Sequence, residues 1–124
     1  MLFSKPEYRV VALPLVYIED PEDLELGGIS VEASGVIDGK EKFCCASYML
    51  TRREMYDNGG YEQLIDLLRR SPGKEVAVRL KLKKGKIKGF KIDLQSMAQA
   101  YGDERFLTLE LLCWGINDKS YARL

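Results

Sequence analysis

Lysine and arginine are the chemistry-bearing side chains that this sequence concentrates in one place. Residues 69–91 hold ten of them and a single acid, Glu75, so the segment has nine net positive charges although the whole chain has none. Cationic side chains at this density bind phosphates, and a nucleic-acid backbone presents phosphates at a close, regular spacing. The segment therefore predicts a surface for an anionic polymer such as nucleic acid.

The cations alternate with apolar residues over Val76 to Lys83, which is the pattern of a half-buried strand. The turn Lys84-Gly85 follows, and a returning strand begins at Lys86. An extra residue at Gly89, as in a β-bulge, restores one apolar face by pairing Leu82 with Ile87, Leu80 with Phe90, Val78 with Ile92 and Val76 with Leu94. The other face is then basic, and its predicted nucleic-acid-binding residues are Arg79, Lys81, Lys83, Lys84, Lys86, Lys88 and Lys91.

This register sets like charges against each other, which an anion would relieve. Arg79 lies near Lys91, Lys81 near Lys88, and Lys83 near Lys86, and like charges facing each other on a sheet are destabilising. Two other interpretations stay open. Lysines also protect exposed edge strands from aggregation, and the acidic segment Glu19–Glu25 could neutralise the hairpin within the chain or across a homo-oligomer interface.

Binding of single strands also uses aromatic rings on which bases stack. Asp38-Gly39 predicts a hairpin between two strands, Ile29 to Ser34 and Phe43 to Leu50. A loop of two or four residues sends Phe43 away from the apolar face of Val31 and Ala33, whereas a three-residue loop would swap the faces. Phe43 is therefore the stacking candidate. Phe90 is expected to be buried, and Trp114 to pack or to anchor an interface.

Catalytic and metal-binding side chains are sparse. The chain has no histidine, no C-x-x-C spacing and only three cysteines, two of them adjacent, so the usual zinc ligands and the commonest general base are missing. No spacing singles out a pair of carboxylates or a lysine. We expect no enzyme, no metal site and no cofactor, with a carboxylate or lysine site as a third possibility.

The elements that carry these residues are mostly strands. Tyr8 to Glu19 reads as a strand interrupted at Pro14, the acidic segment as a loop, and Phe106 to Trp114 as a last strand before a frayed tail. Helical spacing predicts a helix over Tyr61 to Arg70. A capping box at 51–54 predicts a short helical turn that begins there and breaks at 58–60, and a second turn is expected at 96–101. The fold class is mainly β (α+β), with five or six antiparallel strands in a barrel or curved sheet, one helix between strands 3 and 4, and a single domain, 1–124.

Location follows from what the sequence lacks. No apolar run approaches the ~18 residues of a membrane span, and the first residues do not have the pattern of a secretion signal. We expect a cytoplasmic protein without a membrane partner.

Two segments resemble parts of bacterial single-stranded DNA-binding proteins, over about residues 8–94. They are Gly27-Gly28-Ile29-Ser30-Val31 at the start of the second strand, and residues 67–76, which join the helix to the fourth strand. The resemblance implies an OB-like barrel, usually oligomeric, that grips single-stranded DNA through the basic fourth-to-fifth-strand hairpin and through aromatics of the second and third strands. The sequence departs from that family in a sixth strand and in the lack of an acidic C-terminal tip.

The leading hypothesis is thus a non-catalytic binder of single-stranded nucleic acid, DNA or RNA. The alternative is a protein-interaction or assembly module, or a homo-oligomeric structural protein, joined through the last strand around Leu109 to Trp114. Its test is the mass in solution with and without Trp114→Ala.

Overall fold

The computed structural model describes residues 5–51, 59–71, 73–117 and 119–122. In these ranges seven strands form one antiparallel sheet: β1 (Glu7–Ile18), β2 (Gly28–Ile37), β3 (Lys40–Leu50), β4 (Lys74–Lys83), β5 (Lys86–Ile92), β6 (Leu109–Ile116) and β7 (Lys119–Ala122). The helices are α1 (Pro21–Glu25), α2 (Gly60–Arg70), α3 (Leu94–Tyr101) and a 3-10 helix, Glu104–Thr108. The predicted mainly β class is confirmed, as is a helix between the third and fourth strands. The predicted number of elements is wrong, because the sheet has seven strands instead of five or six, and α1 and α3 are present besides the single predicted helix.

The strands follow the order β5-β4-β1-β2-β3-β6-β7 across the sheet. The sheet curls until β5, at one edge, meets β6, the second strand from the other edge. Phe90 and Trp114 make this contact, with ring centroids 5.6 Å apart and ring planes at 87°. The sheet is therefore a nearly closed barrel in which side chains bridge the remaining gap.

Two hairpins turn at the predicted dipeptides, and each turn has two central residues. Asp38 and Gly39 have φ of 53° and 79°, and Lys84 and Gly85 have φ of 53° and 75°. Positive φ at both central residues gives a turn whose twist matches that of the strands, and glycine adopts it without steric cost. In the first hairpin Ala33 faces Cys44 and Ser34 faces Phe43, so Phe43 lies on the outer face as expected for a two-residue loop.

The bulge in the second hairpin is also confirmed. Leu82 faces Ile87, Leu80 faces Phe90, and Val78 faces Ile92, with a register shift between Lys81 and Leu82. The predicted identity of the extra residue is wrong, because Gly89 pairs with Lys81 and Lys88 is the extra residue. Lys88 therefore does not lie opposite Lys81, as the predicted register had it. The predicted pair of Val76 with Leu94 is wrong, because Asp93 ends the strand by capping α3 through backbone N–H groups of Gln95 and Ser96.

The first strand changes partners midway. Glu7 to Leu15 pairs with β4, and Leu15 to Ile18 pairs with β2. Pro14, which has no N–H for a ladder, lies immediately before Leu15, the residue that faces both neighbours. β1 thereby joins the two hairpins.

The core lies inside the curled sheet and beneath the helices. The inward residues of β1 from Val11 onward and those of β2 and β4 are apolar, and α2 adds its predicted stripe of Leu64, Ile65 and Leu68. Arg9, at an inward position near the start of β1, pairs with Asp38. Phe106 of the 3-10 helix is fully buried. The described residues include no buried polar or charged side chain. None of the described helices is long and apolar enough to cross a membrane.

Three other predictions need correction or lie outside the described ranges. The acidic segment contains α1, which Asp20 caps by accepting a hydrogen bond from Glu22 N, where a loop was expected. The last long strand starts at Leu109 because Asp103 caps a 3-10 helix over the preceding residues, and the expected frayed tail contains β7 on β6. Of the predicted turn at 51–54, residues 52–54 lie outside the described residues.

Candidate nucleic-acid interface

The hairpin β4–β5 presents the predicted cations on the outer face of the sheet. Its apolar residues face inward, where Val76, Val78 and Leu80 are at most 1% exposed, and the alternation of the strand therefore sends the charged residues outward. Every predicted cation of the hairpin is exposed: Arg79, Lys81, Lys83, Lys84, Lys86, Lys88 and Lys91. We call this surface the basic face.

Cations face cations on the basic face. Arg79 is directly opposite Lys91, and Lys83 is directly opposite Lys86. The described part of the chain contains four ion pairs, Arg9–Asp38, Arg69–Glu19, Arg70–Asp66 and Arg105–Asp103, and none of them involves the basic face. The hairpin therefore has a concentration of positive charge that the described acids do not neutralise by direct contact.

The acidic segment is engaged elsewhere. Glu19 pairs with Arg69 of α2, and Asp23 accepts hydrogen bonds from Ser30 and Ser47 on the outer face of β2 and β3. β1 lies between β2 and β4, so the contacts of Asp23 with β2 and β3 are on the other side of β1 from the hairpin. Among the described residues, the acidic segment makes no ion pair with the basic face.

β1, the strand beside β4, adds apolar groups to the basic face that were not predicted from the sequence. Tyr8 faces Lys81 and Val10 faces Arg79 across the β1–β4 ladder, and both are exposed, by 52% and 64%. The guanidinium carbon of Arg79 lies 4.6 Å from the centroid of the Tyr8 ring, which is a cation–π contact. An aromatic ring and an aliphatic side chain thus lie within the basic face.

Two shallow grooves run along this surface. One, of about 540 Å³, is lined by residues including Tyr8, Val10, Arg79 and Lys91. The other, of about 440 Å³, extends from Tyr8 past Lys88 to Phe90 and Trp114 at the edge of β5. Both volumes are in the range that holds a small ligand, such as a single nucleotide.

Phe43, the predicted stacking residue, lies apart from this groove. It is 39% exposed on the outer face of β3, and β1 and β2 separate β3 from β4. Its backbone is held by Asn117, whose Oδ1 accepts from Phe43 N at 3.1 Å and whose N–H donates to Phe43 O at 2.7 Å. The structure therefore does not bring Phe43 to the hairpin.

Phe90 and Trp114 lie at the gap between β5 and β6, where they also line the end of the second groove. Phe90 is opposite buried Leu80, as expected, but it is only partly buried, and it packs on Trp114. Trp114 is opposite Ala46 of β3, and β7 pairs with the other side of its strand. Trp114 thus packs within the chain, and at Trp114 both sides of the strand are paired, by β3 and by β7.

The cysteines are free thiols in poor positions for chemistry. Burial, assisted by neighbouring negative charge at Glu32, raises the pKa of Cys44 and that of Cys45 to about 11, so the reactive thiolate is scarce at neutral pH. Within the described ranges, no three Cys, Asp or Glu side chains are grouped so that they could hold a metal ion.

Comparison of the chain with known protein families, with curated proteins and with solved structures found no match. The function must therefore be argued from the site itself.

Proposed function

We propose that this protein is a non-catalytic nucleic-acid-binding protein that holds a single strand on the basic face of an OB-like barrel. The observation that carries the proposal is the set of seven exposed cations on one hairpin, none of which has an ion-pair partner among the described residues. A phosphate chain would relieve the repulsion between facing cations and would release its own counterions on binding.

The architecture supports the OB-like part of the proposal. The fold is a curled antiparallel sheet whose α2 lies between β3 and β4, as in the resemblance to single-stranded DNA-binding proteins. It differs from a five-stranded OB barrel in α1, in α3 and in the strands β6 and β7, which extend the sheet beyond β3. The basic hairpin is the part that the resemblance assigns to DNA, and in this chain it is the most positive segment.

The test is a fluorescence-anisotropy titration of a labelled mixed-sequence single strand at about 50 and 200 mM salt. If six of the seven cations each neutralise one phosphate of the single strand, the slope of log affinity against log salt should be about −4. Duplex DNA and heparin serve as competitors. A surface that binds by charge alone would bind these more densely charged polymers in preference to the single strand. No binding at the lower salt, or affinity that does not change with salt, would refute the proposal.

Charge-reversal variants test whether the hairpin is the nucleic-acid-binding site. Lys81→Glu with Lys83→Glu should weaken binding to all sequences alike, because phosphate contacts carry no sequence information. The matched control is Lys40→Glu with Lys119→Glu, which makes the same charge change at exposed positions of β3 and β7. Equal losses in both double variants would mean that net charge, and not the hairpin, controls binding.

The homo-oligomer expected from the sequence stays a prediction. Light scattering of the protein alone and with Trp114→Ala measures it directly, and a monomer at high micromolar concentration would contradict it.

A further inference from the structure

An exposed aromatic ring lies within the basic face, and it comes from β1 rather than from the hairpin. Tyr8 faces Lys81 across the ladder and has half of its surface open to solvent, and Val10 beside it is exposed by 64%. Both point away from the core, because their neighbours Arg9 and Val11 face Leu80 and Val78 on the inner side. These two side chains do not serve the packing of the barrel interior.

The charges around the ring are arranged for a ligand that is both flat and anionic. Arg79 lies over the Tyr8 ring at 4.6 Å, and Lys88 and Lys91 line the same groove of about 440 Å³. A guanidinium that rests on a ring keeps its outer N–H donors available and is held in one place before a ligand arrives. A nucleotide has a flat base and a phosphate, and it matches both parts of this groove.

We propose that Tyr8 is a base-stacking residue, so that the basic face selects nucleic acid with unpaired bases over duplex. The proposal rests on the proposed function and deepens it by naming the residue that distinguishes an unpaired base from duplex. An unpaired base stacks on Tyr8, and the adjoining phosphates contact Arg79 and Lys91. A duplex keeps its bases paired and stacked on each other, so it can use the cations of the face but not the ring.

The experiment compares two labelled strands of about 12 nucleotides, one of oligothymidylate and one of abasic residues with the same number of phosphates. Wild-type protein should bind the thymidylate strand more tightly, because one stacked base changes affinity by about 5- to 150-fold. Tyr8→Leu should lower that affinity toward the affinity for the abasic strand and should leave abasic binding unchanged. Tyr8→Phe, which retains the ring, should behave as wild type.

Phe43→Leu is the matched control, because Phe43 is an exposed aromatic on a neighbouring part of the sheet and outside the groove. It should leave both affinities unchanged. A loss with Phe43→Leu and none with Tyr8→Leu would overturn the assignment.

The wild-type comparison also separates this inference from the proposed function. Binding to neither strand at about 50 mM salt would refute the proposed function. Equal binding to both strands would leave phosphate binding intact and would overturn the stacking inference. This comparison needs no variant, so it decides the question even if Tyr8→Leu folds poorly.

Discussion

Replacing Lys91 with glutamate should stabilise the protein while it weakens the proposed binding site. Lys91 is directly opposite Arg79 on the exposed face of the hairpin, so the wild type places two positive charges side by side. Glutamate removes that repulsion and creates a cross-strand pair of opposite charge. Each of these effects is worth about 0.2–1 kcal/mol, and for an exposed pair we expect a combined gain of about 1 kcal/mol.

A gain of that size corresponds to a rise in Tm of about 4 °C for a chain of this length. The assay is thermal unfolding by circular dichroism at about 50 mM and 1 M salt. The gain should largely disappear at the higher concentration, where the screening length falls to about 3 Å. Lys91→Gln, which removes the repulsion without adding an attraction, should lie between the wild type and the glutamate variant.

Lys88→Glu is the matched control. It makes the same charge change in the same strand, but Lys88 is the extra residue of the bulge and has no residue directly opposite it. It should raise Tm less than Lys91→Glu does. Equal gains in the two variants, no gain at low salt, or a gain that persists at 1 M salt would refute the reasoning from facing cations.

Three further predictions concern the rest of the molecule. Phe106→Ala should lower the free energy of unfolding by about 3–5 kcal/mol in urea titrations, because Phe106 is fully buried and its loss leaves a cavity. The hydrogen bond from Arg105 holds the pKa of Asp103 below its usual value. The stabilisation of the folded state by ionised Asp103 is therefore complete above about pH 4 and is lost as pH falls through the lowered pKa. Asp103→Asn should flatten the acid limb of a plot of stability against pH. With a pKa of about 11, Cys45 should react with iodoacetamide at pH 8 about 10-fold more slowly than a thiol of pKa 9, because its scarcer thiolate is also the more nucleophilic one. The rate should rise about tenfold per pH unit up to pH 10, as measured by peptide mass spectrometry.

The parts of the fold that the sequence predicted are those fixed by local chemistry. The dipeptides Asp38-Gly39 and Lys84-Gly85 specify two-residue turns, and each turn sets the register of its hairpin. The bulge followed from the break in alternation at Gly89. The helix over 61–70 followed from its apolar spacing and from the glycine and proline residues that flank it.

The parts that the sequence did not predict depend on contacts between distant segments. Periodicity shows that β1 has two faces, but it does not show that β4 pairs with its first half and β2 with its second. Without that pairing, the sequence does not place Tyr8 beside Arg79. The outward direction of Phe43 follows from a local hairpin, so Phe43 was the residue predicted to stack. The only sequence signal for Tyr8 as a surface residue was its alternating position in the first strand. That signal is weak, because most aromatic residues in strands belong to the core.

The change of partner along β1 has a consequence for how the chain unfolds. The hairpin β2–β3 and the hairpin β4–β5 each close through a turn of two residues, and among the described strands β1 is the only one hydrogen-bonded to both. Such hairpins form within microseconds, but alone they are marginally stable. β1 brings together two hairpins that are far apart in the chain, so the cooperativity of unfolding depends on this strand. Once β1 detaches, neither hairpin retains a complete core, and we expect both to unfold in a single transition.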